Sequence, residues 1–155
     1  MRFSYFIASR MLPHAVLVNA GACGTRGTQL LRSVEYGAVA EVTLALAQRA
    51  NAAIQAGIDP ECLILDPGIG FAKRLPHNLA VLRGLPTLAR LGFPLIVGLS
   101  RKKMILELTG VDDPKQRLAG SLAGLSAAVL RGAHILRVHD VKPSVEATAV
   151  AAALR

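Results

Sequence analysis

The chain has 155 residues, is 52% hydrophobic with few aromatics, and carries a formal net charge of +8 from 18 Lys and Arg against 10 Asp and Glu. That length suits one domain with a buried aliphatic core, and the charge favours anionic partners. The basic residues are scattered, their longest run is Arg101-Lys102-Lys103 with no interleaved aromatics, and no apolar run is long enough to span a bilayer, so neither nucleic acid nor membrane is an expected partner.

Residues 1–14 show no period and stay unassigned; Arg10, Pro13 and His14 interrupt the apolar core that a secretory signal needs. Residues 15–19, Ala-Val-Leu-Val-Asn, read as a short buried strand running into a loop with Gly21, Gly24 and Gly27. Val39, Val42, Leu46, Ala50 and Ala53 recur at helical spacing, and Gly57 stands where a left-handed cap would end that helix. After the Ile58-Asp59-Pro60 turn, residues 62–66 form a second strand that delivers Asp66 into Pro67-Gly68-Ile69-Gly70-Phe71. Leu79, Leu82 and Leu85 mark another helix, broken near Gly84 and Pro86, with His77 and Asn78 doing no more than starting it. The spacing predicts a third strand over 94–100, a short helix over 103–108 stopped by Thr109-Gly110, and a longer one opened by Asp113 as N-cap and Pro114 at its first position. A fourth strand over 133–140 and a helix over 144–154 complete the chain. This βαβαβαβα order implies parallel strands with right-handed helical crossovers.

Three successive strands therefore end in polar groups: Asp66, then Ser100-Arg101-Lys102, then Arg137-Val138-His139. Parallel strands put all three ends on one face, where α/β sheets and barrels bind ligands. Arg and Lys there suit a phosphate, and His139 can donate a hydrogen bond to the same anion or move a proton. Asp66 would repel that anion and suits a donor-rich heterocycle instead. Each residue also has a plainer role. Asp66 can open a turn by bonding its own backbone, Ser100 can cap the following helix, and Arg101, Lys102 and Lys103 can be solvated charges. Cys23 and Cys62 lack metal or redox spacing and suit a reducing, cytoplasmic setting.

Four ordered motifs, Leu65-Asp66-Pro67-Gly68-Ile69-Gly70-Phe71, Val97-Gly98-Leu99-Ser100-Arg101-Lys102, Arg117-Leu118-Ala119-Gly120-Ser121 and Arg137-Val138-His139-Asp140-Val141, give a resemblance over about 35–150. The chain resembles the dihydropteroate synthases, folate-pathway transferases of the pterin-binding (β/α)8 group. The resemblance implies the C-terminal half of a TIM barrel over 15–155, and condensation of 6-hydroxymethyl-7,8-dihydropterin pyrophosphate with p-aminobenzoate to dihydropteroate and pyrophosphate. It implies Asp66 and Lys102 on the pterin, Ser100 and Phe71 at p-aminobenzoate, and Arg137 and His139 on pyrophosphate. Gly70 and Arg101 complete the expected substrate-binding set, and Lys102, Arg137 and His139 the expected catalytic set. The resemblance further implies magnesium (Mg2+) and a homodimer through helices near the C-terminus.

Such a barrel runs to roughly 250 residues. The matched motifs cover half of one, and the strand-end Asn expected to hold magnesium belongs to the other half. Ala72 stands where the family commonly has Gly. A non-catalytic half barrel that binds pterin, pyrophosphate or a partner chain is the alternative reading, and its open strand edges are expected to promote self-association.

Overall fold

Four short apolar runs become parallel neighbours in chain order. The computed structural model describes residues 4–6, 15–20 and 34–155, so the glycines at 21, 24 and 27 lie outside the described residues. Strands β1 (Ser4–Phe6), β2 (Val16–Asn19), β3 (Leu63–Asp66), β4 (Ile96–Val97) and β5 (Ile135–Val138) alternate with helices α1 (Val34–Gln55), α2 (Leu75–Arg83), α3 (Leu85–Ala89), α4 (Lys103–Thr109), α5 (Leu118–Leu130) and α6 (Val141–Ala153). β2 runs parallel to β3 with Val16 opposite Leu63 and Asn19 opposite Asp66. A parallel bridge from Leu65 to Leu95 carries β3 onto β4, and β4 is parallel to β5 with Val97 opposite Leu136. The central strand β3 is buried along its whole length, as a near-continuous apolar run in a parallel sheet should be.

The core lies between strands and helices. Val42, Leu46 and Ala50 of α1, Leu85 and Leu88 of α3, and Leu125 and Ala128 of α5 pack with Leu63, Leu65, Leu95, Val97, Leu136 and Val138. The expected helix ends are observed: Gly57 and Gly110 take left-handed conformations past α1 and α4, which glycine adopts without a Cβ penalty. Four boundaries differ from the sequence reading. β4 is shorter than 94–100, because the chain turns out of the ladder after Val97, with the Lys102 amide bonded to the Leu99 carbonyl. β5 is likewise shorter than 133–140, and α6 starts at Val141 rather than Ser144. Asp113 caps a separate 3-10 turn, Pro114–Gln116, by accepting the Lys115 amide; α5 begins only after Arg117.

The structure also corrects the expectation of two open sheet edges. β1 lies antiparallel along the outer edge of β5, with Ser4 opposite Val138 and Phe6 opposite Leu136. Three residues are too few for alternation to show in the sequence, and an unpaired edge is where a short strand gains most from docking. No helix among the described residues is long and apolar enough to cross a membrane.

At the start of β5, His134 Nδ1 accepts the Leu95 amide at 3.2 Å, while the Leu95 carbonyl accepts the amides of His134 and Ile135. Burial, then the charge of Arg155, lowers the His134 pKa below 6.5. A lowered folded pKa means that the unfolded chain takes the proton first. The stability is therefore present above about pH 6.5 and lost as pH falls through the folded value. Urea midpoints should drop between pH 7.5 and 5, and drop less in His134→Asn, which keeps an acceptor that does not titrate.

Candidate functional site

β3 delivers Asp66, 7% exposed, to the carboxyl edge of the sheet. Its Oδ1 accepts the Gly68 amide at 2.7 Å, so the turn-opening role is real. Its Oδ2 accepts Asn19 Nδ2 at 2.9 Å from the neighbouring strand. A carboxylate offers about four acceptor positions, so this one can still take paired N–H groups from a ligand. Asn19 joins Asp66 at this edge, although the sequence motifs do not single it out. The available signal is a polar residue ending a strand in register with Asp66.

The loop after Asp66 holds Gly68 and Gly70 at positive φ, and Ala72 at +50° shares that conformation, which explains why glycine would be at home there. Gly70 is constrained twice: at φ +79° it also lies against Lys102, whose Cδ would meet an added Cβ at 2.7 Å. Lys102 Nζ donates to the Ile69 carbonyl and sits 4.5 Å from the centroid of the Phe71 ring. Such a contact between a cation and an aromatic face is attractive, and Phe71 is otherwise 47% exposed. Lys73 donates to the carbonyls of Gly68 and Phe71. Asn78, expected only to start a helix, is 3% exposed and bonds this loop: its Oδ1 accepts the Gly70 amide at 2.7 Å and its Nδ2 donates to the Lys73 carbonyl at 3.1 Å. A groove of about 500 Å3 opens between this loop and α4, lined by Phe71, Arg74, Lys102, Lys103 and Met104 among others.

At the end of β4 the backbone makes a turn centred on Arg101, at φ +60°. An arginine in that region costs on the order of 1 kcal/mol and needs outside support. Its amide donates to Ser121 Oγ at 3.0 Å, its carbonyl accepts Arg117 at 2.9 Å, and its guanidinium forms a two-pronged pair with Asp140. Arg117, 6% exposed, also donates to the carbonyls of Val111 and Asp112, and Ser121 Oγ donates to the Arg117 carbonyl. The Arg117-to-Ser121 motif is thus the frame of this turn. Ser100 does not cap α4, where Lys102 occupies the cap position without a side-chain bond. Its buried hydroxyl instead accepts the His139 amide and lies 3.2 Å from His139 Nδ1.

β5 brings Arg137 over Gly98, where an added Cβ would stand 3.0 Å from Nε. The strand ends meet electrostatically at Lys102. Burial pulls its ammonium down to about 8, Arg137 and Lys73 push the same way, and Asp66 opposes them. The structure therefore puts Gly70, Phe71 and Lys102 on one groove, with Asp66 and Arg137 within electrostatic reach of Lys102, and pairs Ser100 with His139. Arg101 reaches the same edge, but its side chain is engaged with Asp140.

These residues do not make a magnesium site. Among the described residues no group of three or more His, Cys, Asp or Glu comes together in a way that could hold a metal ion, and the two strand-end carboxylates bond different partners, Asn19 and Arg101. An apolar groove of about 340 Å3 lies elsewhere, between α2, α4 and α5, and contains none of these polar groups.

Known proteins share this fold. The family described as pterin binding enzyme matches residues 11–139. The dihydropteroate synthase of Neisseria meningitidis serogroup C is 52% identical over 110 residues, 70% of this chain and 39% of that protein. Among solved structures, dihydropteroate synthase from Xanthomonas albilineans in complex with 7,8-dihydropteroate superposes with a TM-score of 0.81 at 42% identity, covering 90% of this chain and 50% of that one. The Thermus thermophilus synthase in complex with 4-aminobenzoate gives 0.72 at 51% identity, covering 76% and 45%. The parallel strands and their helices correspond to part of a TIM barrel, and the chain spans less than half the length of the curated relatives it matches.

Proposed function

The chain belongs to the pterin-binding enzyme family, and from that premise we propose that residues 15–155 carry the strand-end half of a dihydropteroate synthase site. The reaction proposed is the folate-pathway condensation of 6-hydroxymethyl-7,8-dihydropterin pyrophosphate with p-aminobenzoate. The observation that carries this reading is the meeting of a buried carboxylate with Lys102 and Arg137 at one strand edge. A site with both charges side by side suits a substrate that is a donor-rich ring at one end and a polyanion at the other.

In this reading Asp66 accepts N–H bonds from the pterin ring and Lys102 lies along it. Arg137 and His139 hold the pyrophosphate and stabilise the negative charge that grows as it leaves. The methylene C–O bond breaks with its electron pair going to pyrophosphate. The arylamine nitrogen forms the new C–N bond and gives up a proton to the departing pyrophosphate or to water, so no protein nucleophile is required. Phe71 and Ser100 border the arylamine, and Gly70 lets Lys102 lie close to the loop. Arg101 acts through its pairing with Asp140, which fixes the turn bearing Ser100 and Lys102. A cytoplasmic setting suits the free thiol of Cys62. A homodimer through α5 and α6 would cover the exposed Leu130, Val150 and Leu154.

Turnover of the purified chain with both substrates tests the proposal. Dihydropteroate should form, be lost in Arg137→Ala, and decline as pH rises through about 8, where Lys102 sheds its proton. Lys102→Arg keeps the charge and should move that decline to higher pH. Pterin binding without product would favour the non-catalytic half barrel.

A further inference from the structure

The side-chain amide of Asn78 uses both ends on one short loop. Its oxygen accepts from the Gly70 amide and its nitrogen donates to the Lys73 carbonyl, bracketing Phe71 and Ala72. Two residues of that bracket, Gly70 and Ala72, have positive φ, and the ring of Phe71 is half exposed, so burial does not hold it. What holds the ring is the backbone beneath it and the Lys102 ammonium above it, itself anchored on the Ile69 carbonyl. Asn78 is not the cap of its helix; Arg74 occupies that position. An almost fully buried amide with both groups satisfied by a loop, and with Lys102 packed against the same loop, has the geometry of a clamp.

We propose that Asn78 is a positioning residue that fixes Phe71 and Lys102 as one wall of the arylamine subsite. The assignment of that subsite rests on the function proposed above, whereas the clamp itself does not. The groove of about 500 Å3 beside Phe71 is lined on one side by this loop and by Asn78 itself. Loosening the loop should therefore widen the wall facing p-aminobenzoate and leave Asp66, held from β2 and by Gly68, in place.

The full chain should be compared with Asn78→Ala, which removes both bonds, and Asn78→Asp, which keeps an acceptor for Gly70 but sets oxygen against the Lys73 carbonyl. The first readout is the titration of the Lys102 side chain by NMR, which needs no ligand and no turnover. Its midpoint should rise from about 8 towards the ordinary lysine value in Asn78→Ala, as water reaches the ammonium; in Asn78→Asp the added carboxylate raises it as well, so that variant is read by its KM values. The second readout is kinetic. KM for p-aminobenzoate should rise about tenfold in Asn78→Ala, the weight of one buried hydrogen bond, while KM for the pterin pyrophosphate changes less than about twofold.

If the wild-type chain shows no turnover, the proposed function fails while the NMR titration still decides the clamp. An unchanged Lys102 midpoint in Asn78→Ala overturns the proposal, as does an equal rise in both KM values. Should Asn78→Ala fail to fold, Asn78→Asp decides alone. Wild-type KM values in that variant would overturn the proposal.

Discussion

Asp66→Ala is expected to weaken pterin binding by at least about a hundredfold, because it removes a buried carboxylate whose charge-assisted hydrogen bonds are worth roughly 1.5–3 kcal/mol each. The same change leaves the Gly68 amide and Asn19 Nδ2 without the acceptor they share, so the chain should also lose about 1–2 kcal/mol of stability. Asp66→Asn separates the two effects. It preserves volume and the acceptor for Gly68, but its amide would face the Asn19 amide donor across the strand pair. Its stability should fall less than that of the alanine variant, while pterin binding should remain poor, because one acceptor has become a donor. Calorimetric titration with 6-hydroxymethyl-7,8-dihydropterin and urea unfolding of the three proteins measure both quantities. Pterin affinity in Asp66→Ala within about threefold of wild type would remove Asp66 from the site.

Arg117→Ala should be the most destabilising single change outside the apolar core, at about 3 kcal/mol. Its guanidinium is nearly buried and donates to three backbone carbonyls, those of Val111, Asp112 and Arg101. Truncation leaves those carbonyls unpaired and opens a void the size of the side chain. The loss reaches the site, because the Arg101 turn has a conformation that its own residue type disfavours. Arg117→Lys should recover less than half of the stability, since one ammonium cannot span three carbonyls set by a planar fork. Urea midpoints of the two variants check both statements. A lysine variant as stable as wild type would show that charge, rather than fork geometry, holds the turn.

Much of the architecture is legible in the sequence because it rests on local patterns. Apolar runs of strand length alternating with helical periods specify parallel strands, and Gly57 and Gly110 mark helix ends through a conformation that few other residues tolerate. Asp66, Lys102 and Arg137 can be placed on one edge for the same reason, since every parallel strand ends on the same side. The site's internal wiring is not legible. Asn78 looks like an ordinary helix-start residue in the sequence and Arg117 shows only as part of a motif; their partners are backbone groups whose positions exist only after the loops fold. Arg101 looks like an anion ligand because its partner, Asp140, lies 39 residues away on another strand end. Ser100 looks like a helix cap because nothing local shows that Arg101 turns the chain and that Lys102 takes the cap position. Asp113 and Pro114 give a true cap signal, and the chain uses it for a one-turn 3-10 helix, because Arg117 draws the neighbouring carbonyls inward.

Three strand ends of this chain are proposed to form one site for a pterin joined to a polyanion. Equilibrium titration of the purified chain with 6-hydroxymethyl-7,8-dihydropterin pyrophosphate, repeated with Asp66→Ala and Arg137→Ala, tests it most directly. Saturable binding at a single site at pH 7, competition by free pyrophosphate in the wild type, loss of binding in Asp66→Ala, and loss of the pyrophosphate competition in Arg137→Ala are expected. Absence of saturable binding, or binding that both substitutions leave unchanged, would contradict it.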